Sequence, residues 1–443
     1  MKQLTLTALS LLTGLNILAC SSPADVAQQN DGPDESTTHV DLKRSQVPPV
    51  TNPDVSDGDY AAFIADANSF GLGLHQRLNQ DLSLTATNGV FSPASAQLAL
   101  AMTYGAAVGD TAAAMKSTLR DNLGAEKYHL ACNRLQRDLA SRNYSRTDNQ
   151  GYTWRIELLP ANSLWTDRTL SIKTPFLDLL SQQYDTGLWL VDFAGQPEPS
   201  RLAINGWVED NTHARIKDLL QQGDIDSSTR FVIANALYFF GNWAKVFDEK
   251  LTSPATFHTL AGLDVSVETL HGSSIELPYK AAADFEVLQM PYTNGELWMT
   301  LVLPTAGQFE ATRTQISGQW LADATTGLSS TNVKVTMPKF KIETPQLKLK
   351  DSLAALGMGI VFTSNADFGG MTDEVLSISD VIQKAFIGID EDGTEAAAAT
   401  AVMGLGMIPE PPIPLTFDRP FMFFIQDKTG LVLFSGQVVD PTL

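Results

Sequence analysis

The sequence predicts an α+β fold, one large domain in which helices pack around large mixed or antiparallel sheets, and three observations carry that prediction. From Tyr60 onward, Phe63, Ala67, Phe70, Leu74 and Leu78 recur at three- and four-residue steps, the spacing of one helix face. Strand-like runs gather in the second half, over 230–240, 285–290, 297–303, 333–337 and 431–439, so helices dominate early and strands late. Beyond residue 60 the composition does not break and no internal repeat occurs, which makes 60–443 a single domain.

The segments before it read differently. Lys2 precedes an apolar run from Leu4 to Ala19, too short to span a bilayer and patterned as a signal peptide over 1–19. The run ends Leu18-Ala19-Cys20-Ser21, which resembles the lipobox of bacterial lipoproteins. That resemblance implies a lipid on Cys20 and an exported protein anchored to a membrane, periplasmic or at the cell surface, or released outside the cell. Residues 20–59 carry five prolines and eight acidic residues against two bases, Lys43 and Arg44, with few large apolar side chains. Such a segment buries too little surface to offset its ordering entropy and is expected to be a disordered tether.

Within the domain, the first helix runs to Leu78. An Asn88-Gly89 turn and a short apolar piece lead to a second helix through Leu98 and Met102. Further helical stretches are expected over 175–183, 201–210 and 347–356. The net charge of -20 excludes a nucleic-acid partner, which needs clustered Lys and Arg. The one mildly basic stretch, Arg134, Arg137, Arg142 and Arg146, is expected on a solvated surface. Two cysteines, Cys20 and Cys132, make no disulfide framework, and Cys132 reads as a free thiol in a partly buried helix. No nucleophile elbow, HExxH helix, phosphate loop or dinucleotide glycine pattern occurs, and the six histidines are scattered without metal-ligand spacing. The sequence therefore predicts neither an enzyme, nor a metal site, nor a cofactor.

The informative stretch is 389–412. An acidic turn closes at Gly393. Small residues follow, Thr394 and then Glu395, Ala396, Ala397, Ala398, Ala399 and Thr400, and after them a Gly-, Met- and Pro-bearing loop. Apolar patterning resumes at Phe417 and Phe421. An alanine-rich helix or a flexible linker would also give such a run. Neither explains the acidic Gly turn immediately before it.

These residues resemble the hinge of the serpins. Other matches follow in the order that family has them: NGVFSPASAQLALAMTYGA over 88–106, NGWV over 205–208, NALYFFGNW over 235–243, Met337-Pro338-Lys339-Phe340, Leu356-Gly357-Met358 with Ala366-Asp367-Phe368, and Leu433-Phe434-Ser435-Gly436 with Asp440-Pro441. The resemblance covers nearly all of 60–443. It implies the serpin fold with an exposed reactive loop, and a monomeric suicide-substrate inhibitor of serine proteases. The target cuts the loop, stays bound to it as an acyl-enzyme, and is distorted as the loop inserts into the central sheet. A non-inhibitory serpin, a binding or chaperone-like protein, is the competing reading; such members carry charged or bulky hinge residues.

The resemblance also assigns residues. Glu391, Gly393, Thr394, Glu395, Ala396 to Ala399 and Thr400 form the hinge. Ser92, Ser95 and Asn235 join a hydrogen-bonded cluster beneath the opening sheet, and Gln383 stands where many relatives carry a histidine. Glu391 and Lys339 are placed on neighbouring strands. Counting forward from Gly393 puts the scissile bond at Met407-Ile408, with Leu405-Gly406 and Met403-Gly404 behind it, whereas counting back from Phe421 lands on Pro409. An apolar residue at the cut implies an elastase-, chymotrypsin- or subtilisin-like target. Ala214 occupies a position where relatives place glycine, which puts a local turn in question.

Overall fold

The computed structural model describes residues 40–80, 86–149, 151–244, 247–391 and 411–443. In chain order its first half holds β1 (Asp41–Lys43), α1 (Asp57–Gln80), β2 (Gly89–Phe91), α2 (Pro93–Tyr104), α3 (Gly109–Thr118), α4 (Ala125–Ser141), β3 (Tyr144–Thr147), β4 (Thr153–Asp167), α5 (Thr174–Tyr184), β5 (Leu188–Val191), α6 (Pro197–Asn211) and β6 (Phe231–Gly241). The second half holds β7 (Ser253–His258), β8 (Asp264–Ala281), β9 (Phe285–Pro291), β10 (Leu297–Pro304), α7 (Phe309–Arg313), α8 (Gly318–Thr325), β11 (Ser329–Pro338), β12 (Phe340–Glu343), β13 (Leu347–Lys348), α9 (Lys350–Leu353), β14 (Asp380–Ile389), β15 (Ile413–Thr416), β16 (Phe421–Asp427) and β17 (Val432–Val438).

The strands make two large mixed sheets, as the α+β prediction requires. The first has the order β1-β5-β4-β6-β14-β12, with β3 on β4 and β13 on β14; the second runs β15-β11-β8-β9-β10-β16-β17-β2, with β7 on β8. Helix α2 is buried along its whole length against both. Its Ser92 caps the first turn by accepting from the Ser95 N–H, and Pro93 at the first helical position needs no donor there. Helix α1 crosses close by at Gly71, where an added Cβ would lie 2.3 Å from that of Pro93. One apolar core joins these helices to both sheets, and a second, under α6, covers the other face of the first sheet. No described helix is long and apolar enough to cross a membrane.

Several expectations are corrected. The tether was expected to be disordered through residue 59, yet the chain is built in from residue 40. β1 pairs with β5 and becomes the edge of the first sheet, and further on the chain's carbonyls accept from the helices: Val47 from Ser181, Val50 from Asn133 and Arg137, Val55 from Arg134. The order comes from backbone groups satisfied by a distant surface, which the segment's own composition does not display. Of the four arginines expected on a solvated face, Arg146 alone is exposed. Arg134 and Arg137 hold this segment. Arg142 is buried between Asp427 and Glu296, at 3.0 and 2.9 Å. Cys132 is wholly rather than partly buried. The helix expected over 347–356 opens as β13, because Leu347 pairs with Gln383, and turns helical only at Lys350.

Candidate functional site

The central pair of the first sheet is β6 and β14, and the two strands are parallel. They are bonded in register from Val232 opposite Asp380 up to Tyr238 opposite Phe386. Both continue further. β6 runs on to Gly241, held on its outer side by β4, and β14 runs on to Ile389, held on its outer side by β12. Over these last residues the two inner edges are not paired to any strand among the described residues. A cleft of about 790 Å³ opens there, lined by Tyr238, Phe240, Phe386, Gly388 and Ile389 from the two strands.

Below the cleft the strands are locked. Asn162 of β4, Asn235 of β6 and Gln383 of β14 stand opposite one another in register, and the start of α2 lies against them. The Gln383 amide accepts from Ser92 N–H at 2.9 Å and donates to Ser92 O at 3.1 Å and to Asn235 Oδ1. Asn235 donates to Ser95 Oγ at 2.7 Å and to Asn162 Oδ1, and Ser95 Oγ donates to that same oxygen at 2.9 Å. Ser92 Oγ donates to the Leu433 carbonyl at 2.8 Å, which ties the network to the second sheet. Ser92, Ser95, Asn235 and Gln383 are thus brought together as expected; Asn162 is the member the sequence did not indicate. An amide donates and accepts at once, so glutamine closes the network without a charge.

Above the cleft a second fastening closes the top. Glu391, just past β14, lies 2.5 Å from Lys339 and accepts from Thr252 Oγ at 2.6 Å. Burial pushes the Glu391 carboxyl up, but the hydrogen bonds from Lys339 and Thr252 outweigh it and leave the carboxyl below its ordinary range. Just beyond β6, Trp243 stacks on Tyr292 at 4.5 Å, and neither the indole N–H nor the phenol has a hydrogen-bond partner among the described residues. Ala214 has a φ of 57° and His213 one of 50°, so the turn after α6 keeps its left-handed geometry without glycine.

From Glu391 the chain passes through 392–410 and resumes at β15, which lies parallel to β11 at the edge of the second sheet. Gly393, Thr394, Glu395, Ala396, Ala397, Ala398, Ala399, Thr400, Met407 and Ile408 fall outside the described residues, as does Cys20. Among the described residues no group of three or more His, Cys, Asp or Glu converges to hold a metal.

Comparison with known proteins bears on this geometry. The family model described as Serpin (serine protease inhibitor) matches residues 65–441. An uncharacterized serpin-like protein of Thermococcus kodakarensis is 34% identical over 411 residues, 92% of each chain. Leukocyte elastase inhibitor A of Rattus norvegicus is 34% identical over 390 residues, 85% of this chain and 99% of that one. Among solved structures, the thermophilic serpin tengpin in its native state superposes with a TM-score of 0.77 at 26% identity, covering 91% of this chain and 100% of tengpin.

Proposed function

The chain belongs to the serpin family, described as serine protease inhibitors and not as catalysts, and on that premise we propose that it traps serine proteases as a suicide substrate. The observation that carries the proposal is the pair of parallel strands, bonded below and unpaired above. Two parallel neighbours accept an antiparallel strand between them, and a chain turning back from the end of β14 runs antiparallel to both. Side chains alternate along a strand, so Thr394, Ala396, Ala398, Thr400 and Val402 would share the face that enters the core. All are small or modest and none is charged, which keeps the steric and desolvation cost of insertion low.

The target stays attached to the cut loop as an acyl-enzyme and is distorted before water releases it. The apolar residue at Met407-Ile408 suits elastase-, chymotrypsin- or subtilisin-like pockets, and trypsin-like enzymes, whose pocket acid seeks Arg or Lys, are inhibited poorly. A lipid on Cys20 holds the domain at a membrane surface, and Cys20→Ala releases it to the soluble fraction with inhibition intact.

The test is incubation with a panel of serine proteases followed by denaturing electrophoresis and mass spectrometry. The proposal expects an adduct that survives boiling in detergent and a released C-terminal peptide beginning at Ile408. A peptide beginning at Gly406 moves the bond to Leu405. Cleavage without any adduct rejects the trap.

A further inference from the structure

The upper cleft carries more than an unpaired strand edge. Its floor is aromatic: Tyr238 of β6 and Phe386 of β14 lie 6.1 Å apart across the strand boundary. A cation stands over each ring, Arg215 at 5.9 Å from Tyr238 and Lys341 at 5.1 Å from Phe386. The other charges around the cleft already have opposite partners: Lys217 with Glu209, Lys339 with Glu391 and Glu343 with Lys384. Asp390 on the rim bears electrostatically on Lys339. Among the described residues Arg215 and Lys341 have no carboxylate partner, although the chain carries fifty acidic side chains against thirty basic ones. Gly388 at the rim leaves room for a ligand to approach the β14 backbone.

We infer that this cleft binds a small organic anion, a carboxylate or sulfonate on a planar apolar body, with the body against Tyr238 and Phe386 and the acid between Arg215 and Lys341. Both halves of such a ligand are matched. The rings offer apolar area, and the two cations offer charge-assisted contacts from opposite sides of the gap. Arg215 lies over β6, and Lys341, on β12, lies over β14. The bound anion therefore bridges the strands that an inserting loop would separate, and it stabilises the uncut form by mass action. This last consequence rests on the trapping function proposed above; the binding itself does not.

The probe is anilinonaphthalene sulfonate, titrated into the full uncut protein at low salt, where surface charge is least screened. One saturable site is expected. Arg215→Ala and Lys341→Ala should each weaken it by about tenfold or more, the scale of one lost charge-assisted contact. Lys116→Ala, on α3, leaves it unchanged. No saturable binding, or equal affinity in all four proteins, overturns the site. Saturating probe should also reduce the yield of protease adduct. If it binds with the expected dependence and the yield does not change, the bridge across the gap is overturned. A protein that binds the probe in this way yet forms no adduct even without it keeps the site and loses the inhibitory function.

Discussion

Between Val232 and Tyr238, strand β6 is bonded to β14 residue by residue and its Asn235 is tied to α2, whereas from Phe239 to Gly241 the same strand has no strand on that side among the described residues. The lower half joins five polar side chains in one connected network, four of them buried and Asn162 half-buried. The upper half is closed by one carboxylate held by Lys339 and Thr252, and leaves two buried donors, on Trp243 and Tyr292, without partners among the described residues. The cost of parting two strands is set by what must be broken and left unsatisfied. Here that cost is small at the top and large below. The arrangement suits a sheet that opens from one end and resists opening throughout.

The largest effect expected from breaking this contrast is on insertion itself. Thr394→Arg drives a guanidinium without a partner into the interior, and insertion should then lose the race against hydrolysis of the acyl-enzyme. The mutant should be cleaved as a substrate with no adduct, at unchanged circular dichroism. Unchanged stoichiometry of trapping would refute an insertion step.

Acid should act outside the lower network, because none of Ser92, Ser95, Asn162, Asn235 and Gln383 ionises at working pH. Burial lowers His75 and His129 to about 4. The unfolded chain protonates each imidazole below about 6.5 while the folded chain does not, so stability is full above pH 6.5 and falls toward pH 4, by about 3 kcal/mol for each histidine. Glu391 adds a second loss: its depressed carboxyl stabilises above the unfolded value of 4.5, and that contribution goes as pH falls through the folded value. Melting curves from pH 7 to 4 check this, and His129→Gln should flatten the upper part of the slope.

The two fastenings are separated by paired mutations. Asn235→Ala takes one hydrogen-bond partner from the buried Gln383 amide and one from the half-buried Asn162 oxygen, and should cost about 3 kcal/mol by denaturant titration. Lys339→Ala breaks a pair that is partly exposed and should cost about 1 kcal/mol. Equal losses would mean the halves are held alike. Smallest of all, Ala214→Gly relieves a left-handed alanine and should stabilise by about 0.5–1 kcal/mol, net of the added freedom of the unfolded chain.

What could be read from the chain follows the same division between local and distant causes. Helices α1 and α6 declare themselves through their spacing, and the start of α2 through the Asn88-Gly89 turn before it. The network was reachable through the motifs that carry Ser92, Ser95 and Asn235. Asn162 was missed because β4 was missed: Pro160 argues against a central strand. It is tolerated because β3 pairs β4 only at 153–156 and β5 only at 165–167, so the missing donor faces no neighbour. Arg142 looked like surface because its partner Asp427 lies 285 residues away. The order of 40–56 is likewise written in α4 and α5, and not in the segment itself.

The central claim is that the unpaired upper half of β6 and β14 receives the cut loop as a strand. Cleaving the loop without breaking it elsewhere, then comparing melting temperatures of cut and uncut protein, tests this most directly. A filled gap satisfies both strand edges and releases stored strain, so the cut form should melt well above the uncut one. Equal melting temperatures would mean that the gap stays open after cleavage, and would contradict the claim.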